Sequence, residues 1–286
     1  MTAVSEANPT VARRRLAVYF RDLRERHELS LEKLSAILGV APSQASRLDT
    51  GARGFQVEDV ERLAQWYGLD EAERTRLVAL AEEARKRAWW QQFDLAPAPS
   101  LRTMIGMEQA ALSIGEYAGS VIPGLLQTPD YARASFAAAL IDVPRQTADD
   151  VVAVRTRRQQ VLARAHPPQL WVVIDEAALA RVAGGAAVMR RQLQHLYTKA
   201  NEPAITVQVI GFEYGIYPSG GNHFILLHME DLPDVLYTES LEKQSDTTDP
   251  DHLRAARKLW DALRALALSP RDSAERIKQY IDQLPA

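Results

Sequence analysis

A short segment near the start of the chain carries polar side chains of the types that read DNA bases. They are Ser43, Gln44, Ser46 and Arg47. At helical spacing the interleaved Ala45 and Leu48 face inward, which leaves the four polar residues on the outer surface. Hydroxyl, amide and guanidinium groups are the ones that hydrogen-bond base edges in a major groove. The pattern therefore favours base recognition over the alternative, the solvated polar face of an ordinary helical hairpin.

The residues around these four predict two short helices joined by a tight turn. The first helix has an apolar stripe of Leu31, Leu34 and Leu38. Ser30 precedes it and is a residue that caps helix N-termini. Gly39 tolerates the left-handed conformation that ends a helix, and Pro42 suits the first position of the next one. With Gly51 ending the second helix, the arrangement is that of a helix-turn-helix, whose second helix enters the groove.

The segment resembles the repressor-type (XRE-like) helix-turn-helix of phage repressors and their bacterial relatives. The likeness is clearest in the ending Ser46-Arg47-Leu48-Asp49-x-Gly51. It implies that Thr50 and Arg53 contact DNA phosphates. It also implies a structural ion pair between Arg24 and Asp49, because an unpaired acid at a helix C-terminus opposes the helix dipole and repels phosphates. The alternative is two solvated charges that contribute no measurable stability.

The composition of the chain limits the classes of protein to which it can belong. The chain has 286 residues, of which 47% are hydrophobic and 25% charged, as is typical of globular domains. The net charge is −3, but residues 13–26 hold six arginines against two acids, so a basic region precedes an acidic remainder. There is no cysteine, which fits a reducing cytoplasm. No apolar run reaches membrane-spanning length, so we expect a cytoplasmic protein without membrane contact.

We expect two domains, an all-α domain and an α+β domain. Residues 1–10 are predicted to be disordered, 11–90 to form a five-helix repressor-like domain, 91–102 a linker, and 103–286 the α+β domain. The helices of the first domain are predicted over residues 13–27, 57–67 and 70–87, in addition to the two of the hairpin. The second domain is predicted to contain about four strands, at residues 170–174, 205–210, 223–228 and 235–239. Its helices include residues 104–120, 149–165, 187–200, 250–268 and 270–284.

The second domain resembles that of an actinobacterial family of regulators of the WhiJ type, often described as antitoxin-like. The likeness rests on residues 122–133, 174–179 and 205–210 and on Arg155-x-x-Arg158-Gln159. Members join a repressor-type helix-turn-helix to a C-terminal domain of uncharacterised function. The resemblance implies a transcriptional regulator whose C-terminal domain mediates dimerisation, or binds a ligand or a small partner protein encoded beside it.

Catalytic and metal-binding patterns are missing from the sequence, which contains no HExxH, GxSxG or phosphate-loop motif. His223 and His228 are five residues apart on one predicted strand, so they point to opposite faces and cannot share a metal. Asp175 and Glu176 stand at a predicted helix start, where the helix dipole favours carboxylates. We therefore expect neither enzymatic activity nor a cofactor.

Two classes of function remain open. A DNA-binding protein of this kind is expected to act as a homodimer on an inverted repeat, because one such domain covers too little DNA for strong specificity. The alternative is a protein-interaction module whose helix-turn-helix no longer binds DNA.

Overall fold

Two units make up the chain, and the boundary between them falls between Gln92 and Phe93. The computed structural model describes residues 8–93, 99–139, 145–218, 223–239 and 244–285. Residues 94–98 of the predicted linker lie outside these ranges.

The first unit contains five α-helices around one apolar core. They are α1 Pro9–Arg26, α2 Leu31–Leu38, α3 Pro42–Asp49, α4 Val57–Tyr67 and α5 Glu71–Ala84. Every helix contributes buried side chains, among them Leu16, Leu38, Leu48, Leu63 and Leu77. Apolar residues recurring every three or four positions give each helix one inward face. The prediction of an all-α, five-helix unit is confirmed.

The first helix begins earlier than the sequence predicts. Asn8 caps α1 by accepting a hydrogen bond from the Val11 N–H at 3.2 Å. Pro9 occupies the first turn, where its missing N–H has no cost. Pro9 and Thr10 are buried. The prediction of disorder through residue 10 is therefore wrong for these two residues, because a side-chain cap and burial fix them. Residues 1–7 lie outside the described part of the chain.

The turn between α2 and α3 is closed by side-chain hydrogen bonds to two carbonyl groups, one at the end of α2 and one in the turn itself. Gly39 takes a left-handed conformation with φ of 66°. The Ser35 hydroxyl donates to the Val40 carbonyl at 2.6 Å, and Arg62 of α4 donates to the Leu38 carbonyl at 2.7 Å. The Arg62 donor satisfies a carbonyl that the end of α2 leaves unpaired, and the Ser35 hydroxyl ties α2 to the turn. They also set the direction in which the chain enters α3.

The second unit is built on a six-stranded mixed sheet. The strands are β1 Ser113–Ala118, β2 Gln169–Asp175, β3 Ile205–Ile210, β4 His223–His228, β5 Val235–Glu239 and β6 Gln244–Thr247. Their order across the sheet is β3-β2-β1-β4-β5-β6. The strands β1, β2 and β3 run parallel, whereas β4, β5 and β6 pair antiparallel with their neighbours. The helices are α6 Pro99–Glu108, α7 Pro129–Ala139, α8 Arg145–Arg158, α9 Ala177–Ala180, α10 Ala186–Lys199, α11 Pro250–Leu266 and α12 Pro270–Gln283. The α+β class is confirmed.

Two of the six strands are absent from the sequence prediction. The helix predicted over residues 104–120 is wrong beyond Glu108, where α6 ends, because β1 follows. β1 lies inside the sheet, paired with β2 on one side and β4 on the other. Pairing between segments far apart in sequence overrides a local helical pattern. The short, polar β6 pairs with β5 and carries little apolar signal.

The two faces of this sheet have different chemistry. On one face Tyr117 and Phe224 pack against Trp260 and Leu263 of α11 in an apolar cluster. Side chains alternate along β1, so Glu116 points to the opposite face. There it meets His223 of β4. The second face therefore carries buried charge, which is described below.

Candidate nucleic-acid interface

The third helix presents the predicted base-reading residues to solvent. Ser43 and Arg47 are exposed, and Gln44 and Ser46 are half-buried. The apolar side chains between them are fully buried, so core packing fixes which surface of α3 faces outward. The structure places the four residues on one accessible helix surface. Their contacts with bases stay a prediction.

The loop that follows α3 carries the two predicted phosphate contacts. The Thr50 hydroxyl and the Thr50 N–H both donate to the Ser46 carbonyl, at 2.9 and 3.0 Å. Both donors of Thr50 are thus used to end α3. The Arg53 N–H donates to the Arg47 carbonyl at 2.9 Å, while no side-chain acceptor for Arg53 lies among the described residues. Arg53 is available to a phosphate, whereas Thr50 would first have to give up a bond within α3.

An ion pair joins α1 to the end of α3. Arg24 Nε donates to Asp49 Oδ1 at 2.7 Å, and its second nitrogen donates to Oδ2 at 3.1 Å. A third donor of Arg24 reaches the Leu29 carbonyl at 3.1 Å. The side chains of Arg24 and Asp49 are 15% and 10% exposed. Hydrogen bonding to Asp49 raises the pKa of Arg24, more than burial lowers it. Planar two-point pairing of this kind fixes orientation as well as distance.

A second arginine of α1 contacts the same residue, and sequence reasoning missed it. Arg21 Nε donates to the Asp49 carbonyl at 2.9 Å and lies 3.7 Å from the Asp49 carboxylate. The positive charge of Arg21 interacts favourably with the negative end of the α3 helix dipole. The sequence feature that points to Arg21 is its three-residue spacing from Arg24, which puts both arginines on one face of α1. Two arginines therefore hold the end of α3, which is the predicted recognition helix.

In the second unit, glutamine side chains bind the backbone of residues 122–126, which belong to one of the segments that carry the family resemblance. Three glutamine side chains donate to the backbone around the 3-10 turn Gly124–Leu126. Gln127 donates to the Ile122 carbonyl at 2.6 Å. Gln159 donates to the Gly124 carbonyl at 3.0 Å, and Gln192 donates to the Leu126 carbonyl at 2.7 Å. Backbone groups of a buried turn need such partners. These glutamines support the turn.

A buried ion pair joins α6 to α8. Glu108 is 2% exposed and accepts a hydrogen bond from Arg158 Nε through Oε2 at 3.0 Å. Its other oxygen, Oε1, is buried and has no hydrogen-bond partner within the described ranges. Burial raises the pKa of Glu108, and the positive charge of Arg158 counters only part of that rise. The pair is therefore incompletely satisfied.

Near this pair, His223 lies between two carboxylates. Its Nε2 is 2.9 Å from Glu116 Oε1, and its Nδ1 is 3.5 Å from Glu239 Oε2. Burial alone would lower the pKa of His223, but the two carboxylates outweigh it and raise that pKa to about 10. Hydrogen bonding from His223 lowers the pKa of Glu239 to about 2. The two carboxylates thus favour the protonated form of His223, in which both ring nitrogens donate.

The other histidine and carboxylate side chains that the sequence analysis considers also have hydrogen-bond partners. His228 Nδ1 lies 2.8 Å from Asp234. Asp175 accepts a hydrogen bond from the Ala177 N–H at 2.7 Å at the start of α9. Within the described ranges, no three His, Asp or Glu side chains are grouped so that they could hold a metal ion. Over the same residues, no helix has the length and apolar character needed to cross a bilayer.

Two protein-family models match the chain. A helix-turn-helix domain matches residues 15–77, which include α2 and α3. A domain of unknown function (DUF5753) matches residues 101–279, more than half of the chain. No curated protein and no solved structure matches. The chain therefore belongs to the DUF5753 family and carries a helix-turn-helix domain ahead of the DUF5753 domain.

Proposed function

We propose that this protein is a sequence-specific transcriptional regulator that reads an operator with α3. One observation carries the proposal: α3 is held at its end by Arg21 and Arg24 while it exposes Arg47 to solvent. Arg47 has no side-chain acceptor among the described residues. An exposed, uncommitted arginine on a rigidly seated helix is suited to direct recognition of a base.

The proposed roles follow from donor chemistry. Arg47 would make a two-point contact with a guanine, which supplies about 1–3 kcal/mol of discrimination at one base pair. Gln44 and Ser43 would read neighbouring base edges, with Ser46 at the margin of the contact. Arg53 would hold a phosphate beside the site. Thr50 is a weaker candidate, because its donors are used within α3.

We propose further that the regulator acts in the cytoplasm as a homodimer on an inverted repeat, and that it has no catalytic activity. Two-fold proteins match two-fold sites, and doubling the interface supplies the specificity that one small domain lacks. The DUF5753 domain would provide the dimer contact or bind a small partner protein, in keeping with the antitoxin-like, WhiJ-type resemblance. Light scattering at micromolar concentration, with and without DNA, tests the dimer. A monomer under both conditions would exclude it.

The DNA-binding proposal is tested by selecting sites from a random duplex library with the full chain. We expect one enriched sequence with two-fold symmetry. Fluorescence anisotropy with that duplex then compares Arg47→Ala with wild type, and Arg74→Ala on α5 serves as a control for removal of one positive charge. Arg47→Ala should relax the preference at one position of each half-site, while Arg74→Ala should leave the preference unchanged. Failure of the wild-type chain to enrich any sequence would instead favour the protein-interaction module.

A further inference from the structure

One face of α1 runs along the end of α3 and the loop after it. Arg24 and Arg21 contact Asp49, as described above. One turn earlier, Ala17 lies against Gly51, where a Cβ built on the glycine would be 3.2 Å from the Ala17 Cβ. The spacing of three and four residues between Ala17, Arg21 and Arg24 keeps them on one side of the helix. This face therefore follows the chain from the recognition helix into its loop.

Arg13 continues the same face by one further turn. A Cβ built on Gly54 would lie 3.5 Å from Arg13 Cδ and 3.8 Å from Cγ. The aliphatic part of Arg13 thus lies beside Gly54, in the place that a side chain at position 54 would contact. The residue before Gly54 is Arg53, whose N–H is bonded to the Arg47 carbonyl. The stem of Arg13 therefore rests on the loop that links Arg53 to the recognition helix.

Arg13 differs from the other two arginines of this face in its partners. Arg21 and Arg24 have Asp49 as an acceptor, but Arg13 has no acceptor among the described residues. Burial lowers the pKa of Arg13, and the neighbouring charge of Arg14 lowers it further. A half-buried guanidinium beside another cation destabilises the fold unless an anion compensates it. The burial of Arg13 therefore lowers the stability of this unit, and no described residue accepts a hydrogen bond from its guanidinium group.

We propose that Arg13 is a phosphate-binding residue, so that α1 and the loop after α3 hold the DNA backbone together. The missing anion is a phosphate diester oxygen flanking the bases that α3 reads. Arg13 then acts with Arg53 and sets the position of α3 along the duplex without reading sequence. This inference rests on the proposed function, because it requires that the helix-turn-helix binds DNA.

The test compares full-length variants by the salt dependence of binding to the selected duplex. Arg13→Met keeps the aliphatic stem over Gly54 and removes the charge, whereas Arg13→Lys keeps a charge. Loss of one phosphate contact reduces the magnitude of the slope of log affinity against log salt by about 0.9. Raising the salt from 50 to 200 mM then weakens binding by the variant about threefold less than binding by the wild type. We expect this change for Arg13→Met on specific and random duplexes alike, with sequence preference retained. Arg13→Lys should restore the slope, and Arg74→Met should not change it.

The outcomes separate this inference from the proposed function. An unchanged slope for Arg13→Met, together with a reduced slope for Arg53→Met, would overturn the role of Arg13 and leave DNA binding intact. An altered base preference for Arg13→Met would also overturn it, because a phosphate contact does not read sequence. Absence of DNA binding by the wild-type chain would overturn both proposals. Thermal unfolding of each variant checks that the first unit is folded, and Arg13→Gln replaces Arg13→Met if the thioether destabilises the unit.

Discussion

Each of the two units contains an arginine–carboxylate pair that joins helices distant in sequence, and the two pairs are completed to different degrees. In the first unit both oxygens of Asp49 accept hydrogen bonds from Arg24, and a third donor of Arg24 reaches a carbonyl. In the second unit Arg158 bonds one oxygen of Glu108, and the other oxygen lacks a hydrogen-bond partner within the described ranges.

The comparison separates two uses of the same side chains. The first pair satisfies both partners and orients a helix that we propose to contact DNA. The second is deeper, and desolvation is a larger part of its energetics. We infer that the first pair mainly fixes the orientation of α3. In the second pair, loss of either partner should strongly destabilise the unit, because the other charge would stay buried without a counter-charge. The following four experiments test this contrast.

The largest effect is expected for Arg158→Met, which would leave the Glu108 carboxylate buried without its cation. Breaking a buried pair costs about 3–5 kcal/mol of unfolding free energy. Hydrogen exchange of β1 and β2 in the full chain measures this loss in the second unit. The double variant Arg158→Met with Glu108→Leu should recover most of the stability, since no charge is stranded. A double variant as unstable as Arg158→Met alone would contradict this account.

The Arg24–Asp49 pair should show a smaller, measurable coupling. Arg24→Met is expected to lower the unfolding free energy of the first unit by about 2 kcal/mol, a value typical of hydrogen bonds to charged groups. A double-mutant cycle with Asp49→Asn isolates the pairwise part, and exchange of α1 and α4 amides reports it. We expect Arg24→Met alone to be less stable than the double variant. Coupling near zero would show that the contact is two solvated charges.

The second unit should lose stability as the pH rises above neutrality, because folding keeps a proton on His223. An unfolded histidine releases its proton near pH 6.5, whereas folded His223 holds it to about pH 10. The contribution is full below the unfolded pKa and is lost as pH rises between these values, by at most about 1.4 kcal/mol per pH unit. Exchange of β4 amides at pH 7 and 8, corrected for intrinsic rates, measures it. His223→Gln should flatten the dependence, and an equal slope in both proteins would refute the role of His223.

The smallest effect is expected for Arg21→Met. The Asp49 carbonyl would lose its charged donor while the Arg24 pair stays in place, so we expect a loss of about 1 kcal/mol in the first unit. Arg26→Met is a matched control, because Arg26 donates to the exposed Asp22 carbonyl within α1. Chemical unfolding, with hydrogen exchange of the α3 amides as the readout, measures the loss of unfolding free energy in both variants. Equal losses for the two variants would mean that the contact of Arg21 with α3 adds no stability.

Local signals made the first unit predictable. Ser30, Gly39 and Pro42 mark the helix boundaries of the hairpin, and each acts through groups within a few residues. The orientation of α3 follows from Ala45 and Leu48, which occupy adjacent turns. The spacing of Arg21 and Arg24 shows only that they share a face of α1, so the contact of Arg21 was missed, because a sequence pattern does not identify a backbone carbonyl as acceptor.

The second unit depends on contacts that no local pattern encodes. Glu116 and His223 are 107 residues apart, and Glu108 and Arg158 are 50 residues apart. The strand β1 forms because β2 and β4 pair with it on both sides, although its residues continue a helical pattern from α6. A buried charge cluster of this kind can be seen only once the register of the sheet is known.

The edge of the sheet at β3 has a consequence for assembly. The N–H of Val209 donates to the Ser273 hydroxyl at 2.9 Å, and the Val209 carbonyl accepts from the Leu268 N–H at 2.9 Å. Exposed strand edges are the places where foreign strands add and where aggregation begins. A strand arriving at Val209 would have to displace both of these contacts. Growth of the sheet by main-chain pairing is therefore obstructed at Val209.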